Sequence, residues 1–181
     1  MTHFIYFAYG SNMLSSRLRR RCPSARIIGK AVAKNYKLEF SKKSKDGSGK
    51  ATLIETSDSF DARGVLFKIA ADELPLLDRL EGAGKGYRRI DKFKVITESG
   101  PQSVTTYLAT EMTGSLYPYD WYLALVIAGA MEHDLGAEYI DQLQAVTYQE
   151  DPIADRKSRD IALKVLQGHG YEKISDLLSH L

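Results

Sequence analysis

The 181-residue chain is poor in several features that mark special classes of protein. Its single cysteine, Cys22, cannot form an intramolecular disulfide, which suits a reducing compartment. The longest uncharged apolar run, Trp121 to Met131, is well short of the roughly 20 residues needed to span a bilayer. The apolar run from Phe4 to Tyr9 lacks the basic leader of a signal sequence. We therefore expect a cytoplasmic protein without a membrane partner.

An excess of charge of one sign is also lacking. Lysine and arginine number 25 against 23 aspartates and glutamates, so a broad basic surface for nucleic acid is not expected. The local cluster of Arg17, Arg19, Arg20 and Arg21 is interpreted as the solvated face of a short helix. The four histidines are scattered, without partners at metal-ligand spacing, so no metal site is predicted. A homo-oligomer stays open, because nothing in the composition decides it.

The chain does have strand periodicity in its first two thirds and helical periodicity in its last third. Strands are predicted at Phe4 to Tyr9, Ala25 to Phe40 with a break near Lys34, Ala51 to Glu55, Arg63 to Ile69, Tyr87 to Thr97 and Ser103 to Ala109. Helices are predicted at Leu14 to Arg21, Asp72 to Glu81, Trp121 to Asp134, Ala137 to Val146, Ser158 to Leu166 and Tyr171 to Ser179. This order predicts an α+β fold: a mixed, strongly curved β-sheet or small barrel with flanking helices. Residues 1–150 form the predicted domain, and residues 151–181 form a helical C-terminal tail packed on it.

The most informative motif is an aromatic strand near the amino terminus, which stops abruptly at Gly10. Gly10 permits backbone angles that place successive N–H groups on one side, and Ser11 and Asn12 add polar side chains. The turn is therefore a candidate cradle for a small anion or an oxyanion. The simpler interpretation, an ordinary strand-to-helix turn capped by Ser11 or Asn12, stays open from this motif alone.

The second motif is a helix that ends in a carboxylate. Asp72 is a candidate cap, Pro75 suits the first turn, and Gly82 is placed to end the helix directly after Glu81. A carboxylate in the last turn faces the negative end of the helix dipole, which costs about 0.3–1 kcal/mol at an exposed site. Glu81 therefore suggests a functional role. The alternative is a surface ion pair with one of four nearby cations: Arg79, Lys85, Arg88 or Arg89.

These two motifs have companions further along the chain. Pro118 is followed four residues later by Tyr122, and Gly136 to Ile140 reads Gly-Ala-Glu-Tyr-Ile. Together with Tyr6 to Met13 and with Leu77 to Gly82 followed by Tyr87, they run in one order from residue 4 to about residue 150. The set resembles the γ-glutamylcyclotransferases. The resemblance implies a compact mixed β-barrel with flanking helices.

The resemblance also implies a reaction, in which a γ-glutamyl amino acid or γ-glutamyl amine becomes 5-oxoproline and a free amine. It assigns the acid/base role to Glu81. It places the substrate against Tyr6, Phe7, Ala8, Tyr9, Gly10, Ser11, Asn12, Tyr87 and Tyr122. A carboxylate base and backbone N–H donors suffice for this chemistry, so no cofactor is expected. A relative specialised for a γ-glutamyl-protected metabolite, or a non-catalytic binding module with the same pocket, stays open as an alternative.

Overall fold

The computed structural model describes residues 2–58, 60–114 and 116–178. Within these ranges the strands are β1 (His3–Ala8), β2 (Arg26–Lys34), β3 (Tyr36–Lys43), β4 (Gly49–Glu55), β5 (Asp61–Ala70), β6 (Tyr87–Thr97) and β7 (Gly100–Ala109). The α-helices are α1 (Ser15–Arg19), α2 (Leu74–Glu81), α3 (Asp120–Glu132), α4 (Ala137–Gln144) and α5 (Lys157–Gln167). Short 3-10 turns occupy Ser11–Met13, Ala71–Glu73 and Ile174–Asp176.

Five strands close into a ring in the order β1, β7, β6, β2 and β5, because β5 pairs back onto β1. The β1–β7 pair is parallel, and the other pairs in the ring are antiparallel. The hairpin of β3 and β4 extends the sheet from β5. A mixed, closed sheet of this kind confirms the predicted α+β fold with a strongly curved sheet or small barrel.

The core lies inside this ring and beneath α3. Phe7 stacks on Phe93 across the ring, with 6.2 Å between ring centroids. Every residue of α3 from Asp120 to Ala130 is buried, because the helix is apolar all round and neighbouring elements cover it. Val165 and Leu166 of α5 are also buried in this core, so residues after position 151 pack on the same body.

Most predicted elements are present with ends displaced by a few residues. The break predicted near Lys34 falls at Asn35, whose positive φ of 62° separates β2 from β3. The helix predicted from Tyr171 to Ser179 is wrong: only Ile174–Asp176 forms a single 3-10 turn, and Ser179 lies outside the described residues. Leu177 and Leu178 follow this turn and are buried in the core although neither belongs to a helix.

In the part of the chain that the structure describes, no helix combines the length and apolar character needed to cross a bilayer.

Candidate active site

The β1 strand and the turn after it supply one wall of a small cavity. Tyr6 and Tyr9 line the cavity, whereas Phe7 lies on the other face of the strand and fills the barrel. The 3-10 turn Ser11–Met13 follows directly, and the N–H groups of Ser11 and Asn12 have no backbone acceptor among the described residues. Two donors are therefore available beside the cavity.

The cavity is narrow and rich in hydroxyl groups. Its volume is about 30 Å³, room for a few waters at most, so a substrate requires movement of lining side chains. The lining residues are Tyr6, Tyr9, Gly10, Ser11, Asn12, Ala51, Glu81, Tyr87, Tyr107 and Tyr122. Glu81 is the one acidic side chain of this lining. Among the described residues, no group of three His, Cys, Asp or Glu side chains is placed to hold a metal ion.

Glu81 enters the cavity because α2 ends there. Gly82 takes the left-handed φ of 73° that terminates the helix, and Pro75 lies in the first turn, both as expected. The predicted cap is wrong: neither the 3-10 turn nor α2 has a side-chain cap bond from Asp72. Glu73 precedes α2 and binds the backbone N–H and hydroxyl of Ser24 instead.

Two side chains from the amino-terminal segment hold the Glu81 carboxylate. Asn12 Nδ2 donates to Glu81 Oε1 at 2.7 Å, and Arg21 Nη1 donates to the same oxygen at 2.9 Å. Arg21 also donates to Asn12 Oδ1 at 3.0 Å, which closes a three-membered network. Glu81 Oε2 has no hydrogen-bond partner among the described residues, so this oxygen is available to a ligand.

The network bears on the simpler interpretations of both motifs. Ser11 and Asn12 do not cap α1: its N-cap is Leu14, and no side chain makes a cap bond there. The cation that pairs with Glu81 is Arg21, which was not among the four nearby candidates. The turn and the helix end therefore meet in one site.

The interpretation of the arginine cluster as a solvated face is half wrong. Arg19 and Arg20 are exposed, but Arg17 and Arg21 turn inward. Arg17 Nε donates to Ser11 Oγ at 3.2 Å, and no carboxylate pairs with its guanidinium among the described residues. Burial, reinforced by the charge of Arg21, lowers the pKa of Arg17 to about 10. A half-buried cation that forms no ion pair among the described residues suits an anionic ligand.

The tyrosine hydroxyls form a second network around Ala51 of β4. Tyr87 donates to the Ala51 carbonyl at 2.7 Å, and the Ala51 N–H donates to the Tyr122 hydroxyl at 3.2 Å. Tyr9 donates to the Tyr107 carbonyl. Burial raises the pKa of each of these phenols, most strongly for Tyr9 and Tyr87, so they stay protonated at neutral pH and act as neutral donors.

The end of α3 holds the amino-terminal turn in place. The Ser15 N–H donates to Glu132 Oε2 at 2.8 Å, and His133 Nε2 lies 3.0 Å from the Met13 carbonyl oxygen. Gly129 permits this close approach, since a Cβ there would lie 2.6 Å from the Leu14 nitrogen. The turn is thus fixed from behind by a buried helix.

Comparison with known proteins places this geometry in a family. The model of the AIG2-like family matches residues 62–143. The γ-glutamylcyclotransferase of Homo sapiens is 34% identical over 148 residues, which are 79% of this chain and 78% of that protein. The chain belongs to the γ-glutamylcyclotransferase family. The γ-glutamylcyclotransferase of Mus musculus is 32% identical over 81% of this chain and 80% of that protein. A solved structure named γ-glutamyl cyclotransferase has a TM-score of 0.80 at 31% identity, over 90% of this chain and 99% of that chain.

Membership of the γ-glutamylcyclotransferase family confirms the predicted resemblance. Seven of the nine residues predicted to bind substrate line the cavity together with Glu81: Tyr6, Tyr9, Gly10, Ser11, Asn12, Tyr87 and Tyr122. Phe7 and Ala8 do not line it; both are fully buried.

Four further residues belong to the site or contact it but were not predicted from the sequence: Arg17, Arg21, Ala51 and Tyr107. One feature of the sequence could have indicated that the two arginines act together: they are four residues apart, which places them on one side of a helical segment. No sequence feature indicates Tyr107 or Ala51, because each reaches the cavity only through the pairing of its strand.

Proposed function

We propose that this protein converts a γ-glutamyl compound to 5-oxoproline and releases the attached amine. The proposal rests chiefly on one observation: Glu81 lines a small cavity together with Ser11 and Asn12, whose N–H groups have no backbone acceptor among the described residues. A base and preorganised oxyanion donors are the parts that acyl transfer within one substrate requires. The named relatives of Homo sapiens and Mus musculus support the same activity.

The first step is removal of a proton from the substrate's α-amine. A model α-amino group has a pKa of about 8, so at neutral pH it is largely the unreactive cation. In our proposal Oε2 of Glu81 accepts this proton while Asn12 and Arg21 hold Oε1. The amine lone pair then attacks the γ-carbonyl carbon, which closes a five-membered ring. Because the nucleophile belongs to the substrate, confinement in a narrow cavity supplies much of the rate enhancement.

The second step is collapse of the tetrahedral intermediate. The N–H groups of Ser11 and Asn12 donate to the oxyanion, and one such donor is typically worth roughly 3–4 kcal/mol in the transition state. The bond between the γ-carbon and the departing nitrogen breaks as Glu81 returns its proton to that nitrogen. The ring nitrogen still carries a second proton, which Glu81 then accepts and passes to the departing amine. The products are 5-oxoproline and the amine as an ammonium ion. The protonated phenols of Tyr9, Tyr87 and Tyr122 enclose the site and limit access of water.

The test is 5-oxoproline release over a panel of γ-glutamyl dipeptides, γ-glutamylamines and glutathione. We expect turnover of at least one γ-glutamyl dipeptide, and a loss of about 10³-fold in kcat for Glu81→Gln. Glu73→Gln is the matched control, because Glu73 precedes the same helix but bonds to Ser24, away from the cavity. Retained turnover in folded Glu81→Gln would refute the mechanism. Thermal stabilisation by every ligand without any product would instead favour a binding module.

A further inference from the structure

Four cations surround the cavity, and they differ in whether the chain itself neutralises them. Arg21 pairs with Glu81, and Lys50 Nζ pairs with Asp46 Oδ2 at 2.9 Å. Arg17 and Lys42 have no acidic partner among the described residues. Two uncompensated positive charges therefore stand near a site that contains one carboxylate.

The Lys42 side chain has a defined position beside the cavity. Its Nζ lies 5.0 Å from the ring centroid of Tyr87, a lining residue. Gly86 leaves room for the lysine, because a Cβ at that position would lie 2.9 Å from Lys42 Cε and 3.3 Å from Lys42 Nζ. The β3–β4 register shifts between Glu39 and Lys42, and such bulges often re-aim a side chain next to a site.

The two uncompensated cations lie by different walls. Arg17 is bonded to Ser11, on the wall formed by the amino-terminal turn, whereas Lys42 lies over Tyr87 at the start of β6. A γ-glutamyl amino acid carries two carboxylates: one on the glutamyl Cα and one on the departing amino acid. Arg17 suits the first, because the glutamyl part must lie against the turn and Glu81. This assignment leaves Lys42 to bind the carboxylate of the departing amino acid.

We propose that Lys42 is a specificity-determining residue that binds a carboxylate of the departing amine. The consequence is a preference for γ-glutamyl α-amino acids over γ-glutamylamines that lack this carboxylate. This inference rests on the proposed cyclotransferase activity, because the substrate preference can be measured only in that reaction.

The experiment compares γ-glutamylalanine with γ-glutamylethylamine, the same amide without the leaving-group carboxylate. In the wild-type protein we expect kcat/KM to be about tenfold higher for γ-glutamylalanine. Lys42→Gln removes this preference by lowering kcat/KM for γ-glutamylalanine about tenfold, and it changes γ-glutamylethylamine turnover less than twofold. Lys42→Arg keeps most of the preference, since it keeps the charge. Lys43→Gln is the matched control, because Lys43 is the exposed neighbour on β3.

The outcomes separate this inference from the proposed function. Turnover of both compounds with equal efficiency, or an equal loss for both in Lys42→Gln, would overturn the role of Lys42 and leave the cyclotransferase activity intact. The equal loss would assign Lys42 to the glutamyl carboxylate. Absence of 5-oxoproline from every member of the panel, with the wild-type protein folded, would refute the proposed function itself.

Discussion

Two cavities among the described residues differ in size, and the smaller one carries the candidate chemistry. The tyrosine-lined cavity holds about 30 Å³, whereas a groove bounded by β3, the start of β5 and α4 holds about 560 Å³. Volume alone would favour the groove. The difference between the two lies in how far the chain satisfies its own polar groups.

In the larger groove, three of the four charged lining side chains have partners within the protein, and the fourth, Glu138, is exposed. Lys37 pairs with Glu39, Asp61 pairs with Lys34, and Arg63 donates to the Leu135 carbonyl. Beside the smaller cavity, by contrast, the described residues leave two N–H donors and one carboxylate oxygen without a partner. Groups left unsatisfied by the fold are available to a ligand, so they are better evidence of function than volume.

The largest effect on this comparison is expected from Arg21→Met. Arg21 holds Glu81 and Asn12 together, and a small displacement of a catalytic group costs about 100-fold in rate. We therefore expect kcat/KM for γ-glutamyl substrates to fall about 100-fold. Arg20→Met, one residue away on the exposed side, is the control and should change kcat/KM less than twofold. Equal effects of the two substitutions would mean that the inward network is not part of the site.

A smaller effect, on stability, is expected from Glu132→Gln behind the cavity. Burial acts to raise the pKa of Glu132, but bonds from His133 and Ser15 outweigh it and lower the pKa to about 2. A carboxylate whose pKa falls on folding stabilises the protein above its unfolded pKa of about 4.5, and this stabilisation is lost as the pH falls towards 2.

We expect Glu132→Gln to lower the free energy of unfolding by about 1–2 kcal/mol at pH 7, after allowance for the partial exposure of this group. The difference from wild type should shrink as the pH falls from 4.5 to 2. Urea denaturation at a series of pH values measures it. A difference that stays constant over this range would contradict the assignment.

The smallest effect is expected in the larger groove. Phe60 lines it and is 49% exposed, so Phe60→Ser removes about half of the burial of one phenylalanine. We expect kcat/KM for γ-glutamyl substrates to stay within twofold of wild type and the free energy of unfolding to fall by about 1 kcal/mol. A tenfold loss of activity would give the groove a role in the reaction and would reverse the comparison.

Elements with strong local signals could be predicted from sequence. The strand Tyr87–Thr97 was predicted with the bounds observed, and its hairpin with β7 turns at Glu98 and Ser99. The apolar helix predicted from Trp121 to Asp134 is α3, with ends that differ by one or two residues. Gly82 ends α2 in the conformation that glycine favours. Each of these features depends on neighbours in the chain.

The failures share a different cause. The arginine cluster was interpreted as a solvated face, yet Arg17 and Arg21 point to groups that β1 and α2 bring close to them. In the carboxyl-terminal segment, Leu177 and Leu178 are buried in the core without forming a helix, so the apolar pattern there reflects burial and not helical structure. The residue pattern within a segment does not predict which of its faces a distant element will cover.

The sequence by itself determined the parts of this protein: the strands, the helix that ends at Glu81, the Gly-Ser-Asn turn, and membership of a family that these motifs identify. The tertiary structure decided how those parts meet. Asn12 and Glu81 lie 69 positions apart in the chain and 2.7 Å apart at their bonded atoms, because α3 holds the turn from behind and Gly82 stops α2 beside it. Contacts between distant segments depend on the packing of the whole core, which no local stretch of sequence specifies.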